Sequence, residues 1–238
     1  MSSVLKGWSL RVIQNKSLAA GKVRSLGILF GVTALLCAFL AAGIWVFKVE
    51  VFYLALLGLF LVSAVSITYK AGVSWFAGDR GERIVMKGLE KLPDEYLAIT
   101  NVVLPDTKQG DIDLLLLGPH GVLVVEVKTY AARYAANGDE WVNIKENGYR
   151  KKMKSPSRQL KRNVKAVENY LKKRGVPATV HGVLVLNDRA DVKIEAPTVA
   201  VKKRLELAEY VRGLPGKEEW PGLEAAFGEG ELQIGDGR

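Results

Sequence analysis

The stretch Gly110–Lys128, GDIDLLLLGPHGVLVVEVK, decides the fold that we expect for this chain. Its two apolar runs, Leu114–Leu117 and Val122–Val127, are long enough to form buried strands. The turn between them, Gly118–Gly121, contains two glycines and a proline, a composition typical of a tight β-hairpin. The sequence therefore predicts an antiparallel hairpin within a central β-sheet.

Four charged side chains interrupt these strands, namely Asp111, Asp113, Glu126 and Lys128. If Gly118–Gly121 forms the turn, the register places Asp113 opposite Glu126 and Asp111 opposite Lys128. Successive side chains of a strand point to opposite faces, so this register directs all four charges to one face of the hairpin. Two facing carboxylates are unfavourable in an apolar core unless a cation lies between them.

The paired acids predict a site for a divalent metal ion, Mg2+ or Mn2+. A hard cation prefers oxygen ligands and keeps several waters, so Asp113 and Glu126 suffice together with substrate phosphates, and the carbonyl of Val127 is a further candidate. Lys128 is placed to activate the attacking water or to neutralise charge on the phosphorane. Asp111 either orients Lys128 or has no chemical role. The alternative is a set of buried ion pairs in which one acid is protonated.

Several short motifs occur in the same order and spacing as in a known family. They are Gly78-Asp79-Arg80-Gly81-Glu82, Gly110-Asp111-Ile112-Asp113, Gly118-Pro119-His120-Gly121, Glu126-Val127-Lys128, and Gln159 in the segment Ser157-Arg158-Gln159-Leu160. With them, the region from about Gly78 to Leu186 resembles the nuclease-related domain (NERD) family within the PD-(D/E)XK nuclease superfamily. The resemblance implies an α/β fold with a restriction-endonuclease-like mixed central β-sheet flanked by helices.

The same resemblance implies roles for five residues. Asp113, Glu126 and Lys128 correspond to the catalytic triad, and Glu82 corresponds to an acid on the first helix that completes the metal shell. Gln159 corresponds to a residue that hydrogen-bonds the scissile phosphate or the attacking water. From the residues alone, Glu82 is equally a helix-start acid favoured by the helix dipole, and Gln159 is a neutral polar residue at a helix start.

A strongly basic segment follows the hairpin, between Lys145 and Arg174. Ser155 or Ser157 can cap a helix that runs to about Arg174, with its apolar residues at helical spacing on one face. Such a segment can neutralise successive phosphates of a polynucleotide. The residues that we expect to do so are Arg150, Lys151, Lys152, Lys154, Arg158, Lys161, Arg162 and Lys165. A solvated helix face and attraction to anionic lipid are the alternatives.

Two long uncharged segments precede the hairpin, at 26–47 and 51–69. Each is about long enough to cross a hydrocarbon core of ~30 Å as a helix, and three residues separate them. The basic flank 1–25 contains no acid, so the positive-inside rule places both termini in the cytoplasm. We therefore expect a two-span protein in a lipid bilayer, a bacterial inner membrane. A cleaved signal peptide and a buried helical hairpin are the alternatives.

The composition limits the function further. The chain has 238 residues and a net charge of +9, which favours a polyanionic partner. Its single cysteine, Cys37, excludes an internal disulfide and a cysteine-based zinc site. No motif indicates a nucleotide or organic cofactor, and homo-oligomerisation is left open.

The predicted organisation has four parts: a basic N-terminal segment 1–25, a transmembrane helical hairpin 26–70, a nuclease domain 71–214 and a C-terminal tail 215–238. The predicted function is metal-dependent hydrolysis of DNA phosphodiester bonds, with RNA as the other polynucleotide substrate. The alternative is a membrane-tethered nucleic-acid-binding or scaffold protein that keeps the nuclease-like fold without catalysis.

Overall fold

The computed structural model of the chain describes residues 11–14, helical positions between 27 and 64, and residues 85–105, 111–130, 132–216 and 220–228. Apart from the last two residues, the chain divides into two compact units. One unit consists of Met1–Ser17 together with Arg80–Asp236, and the other is Leu18–Asp79. Both β-sheets of the protein belong to the first unit.

The larger sheet has six strands: β1 (Arg11–Gln14), β2 (Leu97–Val102), β3 (Ile112–Gly118), β4 (Gly121–Lys128), β8 (Val180–Leu186) and β10 (Ala200–Lys203). Their spatial order is β1-β2-β3-β4-β8-β10. The pairs β2–β3 and β3–β4 are antiparallel, whereas β1–β2, β4–β8 and β8–β10 are parallel. The expected mixed sheet is confirmed, with the hairpin of β3 and β4 at its centre.

The predicted register of the hairpin is confirmed between the turn and the pair Leu114–Val125, where the observed pairing ends before the charged residues. Leu117 pairs with Val122, and Gly118 pairs with Gly121. Gly121 has a φ of 89°. A Cβ atom at this position would overlap the carbonyl oxygen of Thr179, the residue that precedes β8. Both the turn conformation and this close approach therefore require glycine.

A second sheet has four strands in the order β7-β6-β5-β9. They are β5 (Arg133–Asn137), β6 (Glu140–Ile144), β7 (Arg150–Lys152) and β9 (Asp191–Glu195). The dipeptide Asn147-Gly148 is a strong two-residue hairpin signal, so the sequence predicts a ribbon between Val142–Lys145 and Tyr149–Met153. The antiparallel pairing of β6 with β7 confirms this hairpin. The structure extends it into a full sheet, because β5 pairs antiparallel with β6 and parallel with β9.

The helices that follow the hairpin are α1 (Pro156–Lys173), α2 (Leu207–Arg212) and α3 (Leu223–Ala226), and a 3-10 turn at Arg204–Glu206 precedes α2. The amphipathic helix α1 begins as predicted, because Ser155 caps it by accepting a hydrogen bond from the backbone N–H of Arg158 at 3.2 Å. It provides the crossover between β4 and the strand β8, which pairs parallel with β4.

Two apolar layers cover the six-stranded sheet. On one face, Leu115, Leu117, Val122 and Val124 pack with apolar side chains of α1. On the other face, Leu114, Leu116, Leu123 and Val125 pack with helical residues 85–89 and with α2. The strand alternation that produces these layers also assigns Asp113, Glu126 and Lys128 to the face covered by α1.

The N-terminal strand β1 differs from the sequence expectation, which assigned Arg11–Gln14 to a basic segment outside the domain. It pairs parallel with β2, from Arg11 with Leu97 to Gln14 with Thr100. The Arg11 side chain also forms an ion pair with Glu224 of α3 and donates a hydrogen bond to the carbonyl of Asp94 at 3.2 Å. The strand was missed because four residues with one apolar pair have no clear periodicity of their own.

The structure contradicts the predicted transmembrane hairpin. Among the residues that the structure describes, including the helical positions between 27 and 64, no helix is long and apolar enough to cross a membrane. A span requires about 20 predominantly apolar residues in one helix, and a run of apolar residues in the sequence does not by itself supply it. The two spans at 26–47 and 51–69, and the membrane location inferred from them, are therefore wrong.

Candidate active site

The acidic residues and the lysine of the hairpin meet at the end of β3 and β4 that lies away from the turn. The main-chain pairing of these strands ends at Leu114 and Val125. Immediately beyond it, the Oδ2 atom of Asp113 accepts a hydrogen bond of 2.7 Å from the backbone N–H of Val127. The carboxylate of Asp113 thus takes the place of a main-chain carbonyl as the next hydrogen-bond acceptor between β3 and β4. This hydrogen bond fixes the position of the carboxylate.

Glu126 is the most buried charged group of the site, with no exposed surface. Its Oε1 atom forms an ion pair with Nζ of Lys128. Its Oε2 atom accepts a hydrogen bond of 3.2 Å from Nδ2 of Asn163 on α1. Lys128 keeps 26% of its side-chain surface exposed, so the site opens to solvent on the lysine side.

Burial and mutual repulsion govern the protonation of the two acids. Burial raises the pKa of Asp113, and the charge of Lys128 and the hydrogen bond from Val127 oppose this effect. Burial, followed by the charge of Asp113, raises the pKa of Glu126 to about 7, although Lys128 opposes the shift. The two acids therefore share a site in which a second negative charge is disfavoured.

Asn163 is a site residue that the sequence analysis missed. It is almost fully buried on the face of α1 that also carries Leu160 and Val167. The signal was present in the sequence, because Asn163 follows Leu160 by three positions and precedes Val167 by four. A polar residue in the middle of an apolar stripe needs a buried partner, and here that partner is Glu126.

The remaining predicted site residues differ in their placement. Gln159 lies on α1 one helical turn before Asn163, and it lines a cavity of about 400 Å3 together with Trp141 and Ser155. Asp111 is half-buried, and its negative charge raises the pKa of both Asp113 and Glu126. The lysine forms its ion pair with Glu126 and not with Asp111. Glu82 lies outside the residues that the structure describes.

The predicted phosphate-binding cations fall into two groups. Lys152 pairs with Glu140 at 3.2 Å, Lys161 with Asp139 at 2.8 Å, and Lys165 with Glu168 at 3.0 Å. No acidic partner is found within the described residues for the other five, which are Arg150, Lys151, Lys154, Arg158 and Arg162. Lys154, Arg158 and Arg162 line the same cavity as Gln159, so unpaired positive charge lies one helical turn from the Asn163–Glu126 contact.

The donor set fits a hard divalent cation with few protein ligands. Within the described ranges, no group of three or more His, Cys, Asp and Glu side chains could hold a metal ion. The site offers two carboxylates, and a cation that keeps several waters needs only one or two. A positive ion between Asp113 and Glu126 would also relieve the repulsion that raises the pKa of Glu126.

Fold and site together define a mixed α/β domain with a partly buried Asp-Glu-Lys cluster beside basic residues that have no acidic partner among the described residues. Residues 77–187 match the family model of the nuclease-related domain, NERD. This match covers slightly less than half of the chain, and it includes the whole hairpin, Asn163 and Gln159. No curated protein and no solved structure matches the chain. The nuclease-related domain indicates a nuclease-related function.

Proposed function

We propose that the domain is a metal-dependent nuclease of the PD-(D/E)XK type that hydrolyses phosphodiester bonds of DNA. The observation that carries this proposal is the burial of Glu126 between Asp113, Lys128 and Asn163. A carboxylate without exposed surface, facing a second carboxylate, is expensive in a structural core. The same pair is useful where a cation and a phosphate must be held.

Different residues would bind the metal ion, orient its ligands and contact the phosphate. Asp113 and Glu126 would hold Mg2+ or Mn2+, and the bound ion supplies charge neutralisation at the phosphate and a lowered pKa of a bound water. The Val127 N–H fixes Asp113, and the Asn163 amide fixes Glu126, so both carboxylates are oriented before the substrate binds. Lys128 is partly exposed and can contact a phosphate oxygen.

The unpaired cations would position the polynucleotide. Arg150 and Lys151 lie on the exposed edge strand β7, and Arg158 and Arg162 lie on α1 beside the cavity that Gln159 lines. Contacts of such residues with phosphates are largely independent of sequence and weaken with salt. They would hold the backbone of a nucleic acid against the N-terminal half of α1, which is the part nearest to the site.

Cleavage by matched variants of the full chain tests the proposal. Plasmid DNA, branched DNA and RNA are incubated with Mg2+, with Mn2+ or with a chelator, using wild type, Asp113→Asn and Glu126→Gln. Glu168→Gln is the control, because it makes the same chemical change on the exposed face of α1. We expect cleavage by wild type and the control only when metal is present, and a loss of about 100-fold or more in the two site variants.

The alternative is a nucleic-acid-binding protein without catalysis, and the unpaired basic residues are the observation that favours it. In that case wild type binds DNA but cuts no faster than Asp113→Asn. Cleavage that is unaffected by the chelator would refute the metal site.

A further inference from the structure

Tyr130 lies next to the site and continues its row of side chains. It follows Glu126 and Lys128 at the spacing of two residues that keeps side chains on one face of an extended chain. Its backbone N–H donates a hydrogen bond of 3.1 Å to Oδ1 of Asn187, at the end of the neighbouring strand β8. The main chain at Tyr130 is therefore held in line with β4.

The ring of Tyr130 is firmly packed. It stacks on the ring of Tyr134 with the centroids 4.1 Å apart, and it lies 6.2 Å from the ring of Trp141 in a tilted arrangement. Only 8% of the residue is exposed. A phenylalanine would fill the same space and would make the same ring contacts.

The hydroxyl group of Tyr130 is the unexplained part of the residue. Its oxygen is buried and has no hydrogen-bond partner among the described residues. Burial, the neighbouring Tyr134 and the charge of Glu126 all raise the pKa of Tyr130, so the group remains protonated and the carboxylate lies within electrostatic reach. An unpaired buried hydroxyl destabilises a fold, and such groups in native proteins are often explained by function.

We propose that the Tyr130 hydroxyl donates a hydrogen bond to a non-bridging oxygen of the substrate phosphate bound beside Glu126 and Lys128. This inference rests on the proposed function. A neutral donor suits the position, because it can bind an anion without adding a charge that would pair permanently with the two buried acids. The hydrogen bond would strengthen as negative charge builds up on the phosphate oxygens, which assigns Tyr130 a role in the reaction itself.

The test compares Tyr130→Phe with Tyr134→Phe in the full chain. Each change removes one hydroxyl from the same aromatic stack, and only that of Tyr130 lies in the row of Glu126 and Lys128. We expect Tyr130→Phe to lower kcat about 10- to 100-fold, the range for a hydrogen bond to a charged group. Its melting temperature should equal or exceed that of wild type, because an unpaired buried hydroxyl is removed. Tyr134→Phe should keep the wild-type rate.

Binding provides a readout that does not require cleavage. The affinity for a short DNA duplex is measured in Ca2+, a hard cation that takes carboxylate oxygens as ligands. Tyr130→Phe should bind about three- to tenfold more weakly than wild type. If cleavage by wild type fails altogether, the proposed function is refuted, while this difference in binding would still support the hydroxyl contact.

Three results would overturn the inference. One is a Tyr130→Phe variant that binds and cleaves like wild type. Another is a loss of rate with an equal loss of stability, which would make the hydroxyl structural. The third is unchanged binding with an altered pH profile, because the hydroxyl would then act on Glu126 and not on the phosphate.

Discussion

Replacing Glu126 by Gln should stabilise the metal-free protein at neutral and alkaline pH while it abolishes cleavage. The folded state raises the pKa of Glu126 from 4.5 to about 7. Between these values the folded chain binds more protons at this group than the unfolded chain does, so stability falls as the pH rises through the window. Gln is nearly isosteric with protonated Glu but cannot ionise. The stability of the variant should therefore not fall as the pH rises through this window.

The magnitude follows from the size of the shift. One pKa unit corresponds to about 1.4 kcal/mol, so an ionised Glu126 destabilises the fold by about 3 kcal/mol above pH 7. The variant also leaves Lys128 without its partner, but a quarter of that side chain is exposed and water can solvate its ammonium group. We therefore expect a net stabilisation of about 1–3 kcal/mol at pH 8 and almost none near pH 5.

Urea unfolding of both proteins, followed by tryptophan fluorescence at several pH values with a chelator present, measures the effect. If Asp113 and Glu126 bind the ion as proposed, saturating Mg2+ should stabilise wild type and leave Glu126→Gln unchanged, because only the intact pair would bind it. The control Glu168→Gln should remain within about 0.5 kcal/mol of wild type at every pH. A variant that is less stable than wild type at pH 8, or a difference that does not change with pH, would refute the reasoning.

Three further predictions concern the surroundings of the site. Asn163→Leu removes the hydrogen-bond donor to Oε2 of Glu126. The acidic limb of the pH–rate profile should therefore move to higher pH, and the rate at pH 7 should fall about tenfold. An acidic limb at the wild-type pH would contradict this prediction. Arg158→Ala should reduce the salt dependence of DNA binding by about one phosphate contact, and Lys165→Ala, whose amine is already paired, should reduce it less, as anisotropy titrations can show. Hydrogen bonds from Lys161, Thr198 and Ser157 lower the pKa of Asp139 to about 2, so Asp139→Asn should lose stability at pH 7, and urea unfolding should show the deficit shrinking below about pH 4.

The hairpin could be predicted because its determinants are local. A glycine at each end of a four-residue turn and two matched apolar runs leave one register that keeps both apolar faces buried. That register brings Asp113 next to Glu126, so the core of the site followed from the stretch Gly110–Lys128 alone. The helix α1 was equally accessible, because its cap and its apolar stripe are both contained in the segment that forms it.

The second sheet could be predicted only in its β6–β7 hairpin, because the pairing of β5 with β9 that completes it is not local. Strand β9 pairs parallel with β5 although Asp191 and Arg133 are far apart in the sequence. Its five residues alternate between exposed and half-buried positions, and none of them is fully buried. The alternation of apolar and polar residues that indicates a strand is therefore weak. Only the assembled fold shows that Asp191–Glu195 completes a sheet.

The contacts that orient the site come from both sheets and from the helix between them, and this arrangement explains why buried acids are tolerated at all. Glu126 belongs to the larger sheet, and Asn163 reaches it from α1. Trp141 of the smaller sheet donates a hydrogen bond of 3.1 Å to the Ser157 hydroxyl at the start of the same helix, and its ring lies near that of Tyr130. Because these elements are packed on one another, the Glu126 carboxylate, which has no exposed surface, is held away from water by its neighbours. The burial of apolar side chains around the site thus offsets the repulsion between the two acids, and a ligand that brought positive charge between them would relieve it.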